Sequence, residues 1–163
     1  MQEIPLLQRM AEYEPAPWTL IPDLGLYMDQ VITYIERQLE PLYGERAKGV
    51  LTPSMINNYV KSGLVNRPQG KKYYREQLAL LMMIVALKPV ASMDDIARLT
   101  ALREGQTICQ LYEEFCQTQQ QVMHSISIDP AATALKNAVT ATAYRLVSES
   151  MLSEEAFSQK HGD

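Results

Sequence analysis

This chain has few of the groups that carry chemistry. Its 163 residues include only two histidines, His124 and His161, and the second lies in the C-terminal tail. No Gly-rich phosphate loop, nucleophile elbow or metal-ligand spacing is present. An enzyme is therefore not expected, and neither is a cofactor or a metal. The acidic pairs Asp94/Asp95, Glu113/Glu114 and Glu154/Glu155 fall at helix starts or on polar faces. Cysteine is scarce as well. Cys109 and Cys116 lie seven residues apart in a helical pattern. That spacing separates them by about two turns, roughly 10 Å, which is too far for a disulfide. They read as packed thiols. The longest apolar run, Leu78 to Leu87, is ten residues, about half of the roughly 20 that a bilayer needs. The N-terminus lacks the charged and apolar regions of a signal peptide. A cytoplasmic protein with no membrane partner is the expectation. No internal repeat or low-complexity tract is found.

The most informative absence is local. From Arg46 to Arg75 there is no acidic residue, while Arg46, Lys48, Lys61, Arg67, Lys71, Lys72 and Arg75 are basic. The whole chain carries a net charge of −4, so its positive charge is concentrated. A duplex phosphate backbone rewards such a patch, and overall acidity opposes indiscriminate contact. A solvated basic loop is the plainer explanation of the same charge pattern. At 47% apolar and 21% charged, the chain can bury a core.

The element pattern is helical. The first twenty-odd residues look irregular, broken by Pro5, Pro15, Pro17 and Pro22, with Trp18, Leu20 and Ile21 laid across the core. A helix is expected over 27–39, with Val31, Ile32, Ile35 and Leu39 on one face and Pro41 with Gly44 ending it. The next starts at Thr52-Pro53, an N-cap followed by a proline that needs no amide proton. It buries Ile56, Tyr59 and Val60, exposes Ser54, Asn57, Asn58 and Lys61, and stops at Gly63. Residues 65–74 read as two short extended pieces around a Pro- and Gly-containing turn, the pattern of a small β-hairpin wing. A helix over 75–87 is apolar nearly all round and should be buried. Ser92 with Asp95 reads as a capping box for the next helix. Longer helices are expected over 105–126 and 131–152, the second capped by Asp129-Pro130, with a frayed tail after them.

The block from Leu51 to Leu99 resembles the winged helix-turn-helix of MerR-type transcription regulators. Ile56-Asn57-Asn58-Tyr59-Val60-Lys61-Ser62-Gly63-Leu64-Val65 stands where that family has its recognition helix. Tyr73, with Leu78, Leu81 and Ile84 after it, matches the wing tyrosine and the helix that follows. Ser92-Met93-Asp94-Asp95-Ile96 matches a further family segment. From about Tyr27 to Leu99 the chain is also similar to the YkrK-like small bacterial proteins, a domain of unknown function. The resemblance implies a fold more firmly than an activity. The chain departs from the MerR pattern in carrying Asn57 where an arginine is usual, in a longer connection before this helix, and in two final helices in place of one coiled-coil helix.

The physics of the block points the same way. A helix can enter the major groove and read base edges with short polar side chains, here Ser54, Asn57 and Asn58. Lys61 is placed for a phosphate. Arg67, Lys71 and Lys72 on the wing would grip the flanking backbone, and Tyr74 and Arg75 complete the expected DNA-binding set. Tyr73 should pack inward and Tyr74 outward, because strand neighbours alternate.

The expected architecture is thus all-α with a β-hairpin wing. It divides into an arm (1–26), a MerR-like winged helix-turn-helix (27–103) and a C-terminal two-helix module (104–163). The expected function is sequence-specific binding of duplex DNA in transcription regulation, as a homodimer paired through the C-terminal helices. Met82, Met83, Phe115 and Met123 mark the place a small apolar effector would occupy, although methionine there more often fills core. The alternative is a protein-interaction module that uses the winged helix as a scaffold, without DNA binding.

Overall fold

A computed structural model of the chain describes residues 5–126 and 133–161. Seven α-helices carry most of the regular structure there, beside two short 3-10 turns at Trp18–Leu20 and Gly44–Ala47: α1 Leu6–Ala11, α2 Met28–Tyr43, α3 Pro53–Lys61, α4 Arg75–Leu87, α5 Met93–Leu99, α6 Ile108–Ser125 and α7 Ala134–His161. No helix among the described residues is long and apolar enough to cross a membrane. The all-α expectation holds. The β-hairpin wing does not: no strand forms among the described residues, and residues 65–74 contribute only isolated bridges.

The chain separates into two compact units, Met1–Ala86 with Leu102–Ser127, and Leu87–Ala101 with Ile128–Asp163. These are not the three segments expected. The arm and α6 belong with α2, α3 and α4, whereas α7 belongs with α5. The expected pairing of the last two helices into one module therefore does not occur within a unit.

In the first unit α4 is the buried centre. Every residue from Gln77 to Val85 is buried, as the all-round apolarity of this helix requires. Val31, Ile35 and Leu39 of α2, Ile56 and Tyr59 of α3, and Leu111 and Tyr112 of α6 complete the core with Ile21, Leu51, Val65 and Tyr73. Helix α2 passes Pro41 and ends two residues later, before Gly44, whose φ is 56°. A proline in the last turn removes only one late hydrogen bond, so it does not stop the helix at Leu39.

The arm is more ordered than its prolines suggest. Residues Leu6–Ala11 are helical, and a 3-10 turn spans Trp18–Leu20. The Trp18 ring sits 6.2 Å from Tyr112, and the Tyr112 hydroxyl donates to the Ala16 carbonyl at 2.7 Å. Ile21 is buried, but Leu20 is 71% exposed and does not join the core.

In the second unit, Ser92 accepts the Asp95 N–H at 3.1 Å and donates to the Asp95 carboxylate at 2.8 Å, which caps α5. Helix α7 continues to His161, past the end expected at Leu152. The Asp129-Pro130 cap expected before it lies outside the described residues. A groove of about 470 Å³ runs between α5 and α7, with Val90 and Leu99 on one side and Tyr144, Met151 and Leu152 on the other.

Candidate nucleic-acid interface

The expected reading helix forms where its signals place it. The Thr52 hydroxyl accepts the Met55 N–H at 3.3 Å, Pro53 opens the helix, and Gly63 takes a φ of 76° just after it. The helical period then sorts the side chains. Ile56 and Tyr59 are buried, while Ser54, Asn57, Asn58 and Lys61 are exposed along the opposite side.

The segment after it is a tight turn. Gln69 and Lys72 exchange both backbone hydrogen bonds at 3.0 Å. Between them Gly70 and Lys71 have φ of 55° and 64°. Positive φ at both central residues is the signature of the type I′ turn. Pairing goes no further because the next hydrogen-bonded pair would join Arg67 and Tyr74, and the Gln77 side chain takes the Arg67 carbonyl and the Tyr74 N–H. The Gln77 side-chain amide donates to the carbonyls of Asn66 and Arg67 at 2.9 and 3.1 Å. Tyr73 exchanges both of its backbone bonds with Leu26, at 2.8 and 2.9 Å. The arm thus crosses the base of the turn. It does so at Gly25, where an added Cβ would lie 2.9 Å from Lys72 Cβ, Lys72 Cδ and Tyr74 Cζ.

The nine residues expected to touch DNA do not share one environment. Arg67 and Lys71 are exposed, and among the described residues neither they nor Lys61 has an ion-pair partner. Lys72 is half-buried, its ammonium 5.2 Å from the centre of the Tyr27 ring, within cation–π range. Arg75 is committed to the arm. It donates to the Ile21 carbonyl at 2.8 Å, approaches Asp23 at 3.7 Å, and lies 5.8 Å from the centre of the Trp18 ring. Its guanidinium is thus engaged within the chain. Lys48 pairs with Glu45 at 2.8 Å and is likewise occupied. Tyr73 is buried and Tyr74 is 39% exposed.

Helix and turn meet at one groove of about 660 Å³. Asn57 and Lys71 line it with Tyr27, Ile32, Pro53 and Pro68, and Asp29 contributes a carboxylate. The contributions of Tyr27 and Asp29 are invisible in the local pattern, because both come from the start of α2. The site expected for an apolar effector has little room. The cavity that Met82 and Phe115 share is about 20 Å³, the size of a single water. Met83 is closed in the core at 1% exposure.

A family model, described as a domain of unknown function (DUF1836), matches residues 16–115, more than half of the chain. No curated protein and no solved structure matches. This match, with no strand among the described residues, overturns the resemblance to MerR-type and YkrK-like proteins.

Proposed function

We propose duplex-DNA binding for this chain, which belongs to the DUF1836 family of domains of unknown function. Helix α3 is the reading element and the turn after it is the phosphate contact. One observation carries the reading: exposed Ser54, Asn57 and Asn58 on α3 lie in an acid-free stretch with Lys61, Arg67 and Lys71, three cations without ion-pair partners among the described residues. Short amides and hydroxyls suit base edges, with Asn able to contact adenine at two points. Unpaired cations suit phosphates, whose neutralisation releases counterions. The role proposed from this is transcription regulation. Tyr74, exposed beside the turn, adds a hydroxyl donor.

The test is fluorescence anisotropy with duplex DNA across a salt series. Joint replacement of Lys61, Arg67 and Lys71 by Ala should weaken binding on every sequence. The salt slope should fall by roughly 0.9 for each phosphate no longer neutralised. The Asn57→Ala variant should instead lose preference at one base pair while keeping its salt slope. A variant with unaltered preference sinks the assignment of α3 as reader.

A second reading has an observation of its own. Asp29 repels phosphate, and Tyr27, Ile32, Pro53 and Pro68 give the groove an apolar lining suited to a polypeptide. Absence of DNA binding even at low salt would favour that reading, with the chain acting as a protein-interaction module.

A further inference from the structure

Helix α2 opens onto the same groove as the reading helix. Asp29 and Ile32, three residues apart, share one side of α2, while Val31 and Ile35 are buried in the core. Both Asp29 and Ile32 line the groove, together with Asn57 of α3 and Lys71 of the turn. Asp29 is exposed, and among the described residues its carboxylate has no ion-pair partner. Its backbone carbonyl accepts the Thr33 hydroxyl at 3.0 Å, so its main chain is satisfied within the helix. The positive end of the helix dipole favours an acid in this first turn. That accounts for a carboxylate on α2. It does not account for one set beside Asn57 in an otherwise acid-free interface, where any phosphate within reach would be repelled.

We propose that Asp29 is a second base-reading residue and that it selects cytosine. This role rests on the duplex-DNA reading of the same groove. An ionised carboxylate only accepts hydrogen bonds. Among the major-groove edges, cytosine alone shows a donor, its N4 amino group, with no acceptor beside it. Adenine sets its N7 acceptor next to the N6 donor, guanine shows two acceptors and thymine one. Asp29 is thus attracted by one base, opposed by the lone pairs of the other three, and opposed by phosphate. Asn57, with a donor and an acceptor on one amide, suits adenine instead. A groove that holds both side chains lies over base edges, with Lys61, Arg67 and Lys71 left for the flanking backbone. The carboxylate weakens binding to every wrong sequence, which is how a repulsive group creates specificity.

The test selects bound sequences from a random duplex pool with the full chain, read by sequencing, for wild type, Asn57→Ala and Asp29→Asn. Binding to one duplex outside the selected motif is measured beside it by anisotropy. The wild-type motif should contain a C·G pair that Asn57→Ala leaves in place. Changing that pair should weaken wild-type binding about fivefold or more. Asn has the shape of Asp but adds a donor, so Asp29→Asn should fold as wild type and move the preference at that pair from cytosine to adenine. The same variant should bind the unrelated duplex about twofold or more tighter, because one like-charge repulsion is gone. A purely structural carboxylate would produce neither change. A motif unaltered by Asp29→Asn, or weaker binding of that variant to the unrelated duplex, overturns the role of Asp29 and leaves the DNA reading standing. A wild type that selects no motif overturns sequence reading by α3 and by Asp29 together.

Discussion

Lys71 sits in the left-handed region at φ 64°, a conformation that costs a side chain with a Cβ about 1 kcal/mol and is usually left to Gly or Asn. A lysine retained there offers an exposed charge at the tip of the turn. Lys71→Asn should raise folding stability by roughly 0.5–1 kcal/mol, read by thermal denaturation, while weakening the DNA binding proposed above. No gain in stability would show that the turn relaxes elsewhere. Gln77 works in the opposite sense. Buried at 7% exposure, it satisfies two carbonyls with its amide and accepts the Tyr74 N–H at 2.8 Å. Gln77→Leu keeps the apolar volume but strands those three backbone groups. A destabilisation of about 2–3 kcal/mol is expected in chemical denaturation. A change under about 0.5 kcal/mol would mean that the base of the turn does not depend on this clamp.

Among the elements, α3 and α4 were legible in the amino-acid pattern to the residue or nearly so, because each carries its own punctuation. Thr52-Pro53 and Gly63 bracket α3, and an unbroken apolar stretch makes α4. The hairpin was not legible, because its outcome is a competition. The backbone groups of the next ladder pair, the Arg67 carbonyl and the Tyr74 N–H, are taken by Gln77, while Tyr73 pairs on its other edge with Leu26, from a segment forty-odd residues away. The arm shows the same dependence on distant partners. Its anchor, Tyr112, lies on α6, and the Tyr13 hydroxyl donates to the Gln38 carbonyl of α2 at 3.5 Å. Burial first, then the neighbouring Cys116, pushes the Tyr13 phenol up to about 12 from its ordinary value near 10. Burial, followed by Cys116, also pushes the Tyr112 phenol up. Both phenols are raised in the folded chain, so their contribution is complete below about pH 10, and that of Tyr13 is lost as pH climbs through about 12. Far-UV circular dichroism should therefore show cooperative unfolding in that window, and Tyr13→Phe should move it to higher pH. An unchanged transition would show that other groups govern alkaline unfolding.

At the scale of the whole molecule, the DNA-binding proposal carries an expectation of its own. The homodimer expected from the sequence would present two copies of α3, and such proteins favour inverted repeats. Sheared genomic DNA recovered on the full chain at moderate salt, then sequenced, should yield a few fragments sharing an inverted repeat. Uniform recovery would leave only cationic binding, and no recovery at low salt would remove the DNA reading altogether.

By itself the amino-acid order determined the helical class, the caps of α3 and α5, the exposed face of α3, the burial of α4 and the acid-free stretch around the turn. These follow from periods of a few residues and from the conformational limits of Pro, Gly and Thr, which act wherever the residue stands. Only the tertiary structure decided that Arg75 serves the arm and Lys72 stacks on Tyr27. It also decided that the turn makes one bridge instead of a wing, and that α6 and α7 belong to different units. Each of those outcomes depends on which distant group reaches a backbone amide, a ring or a charge first. No local period records that choice.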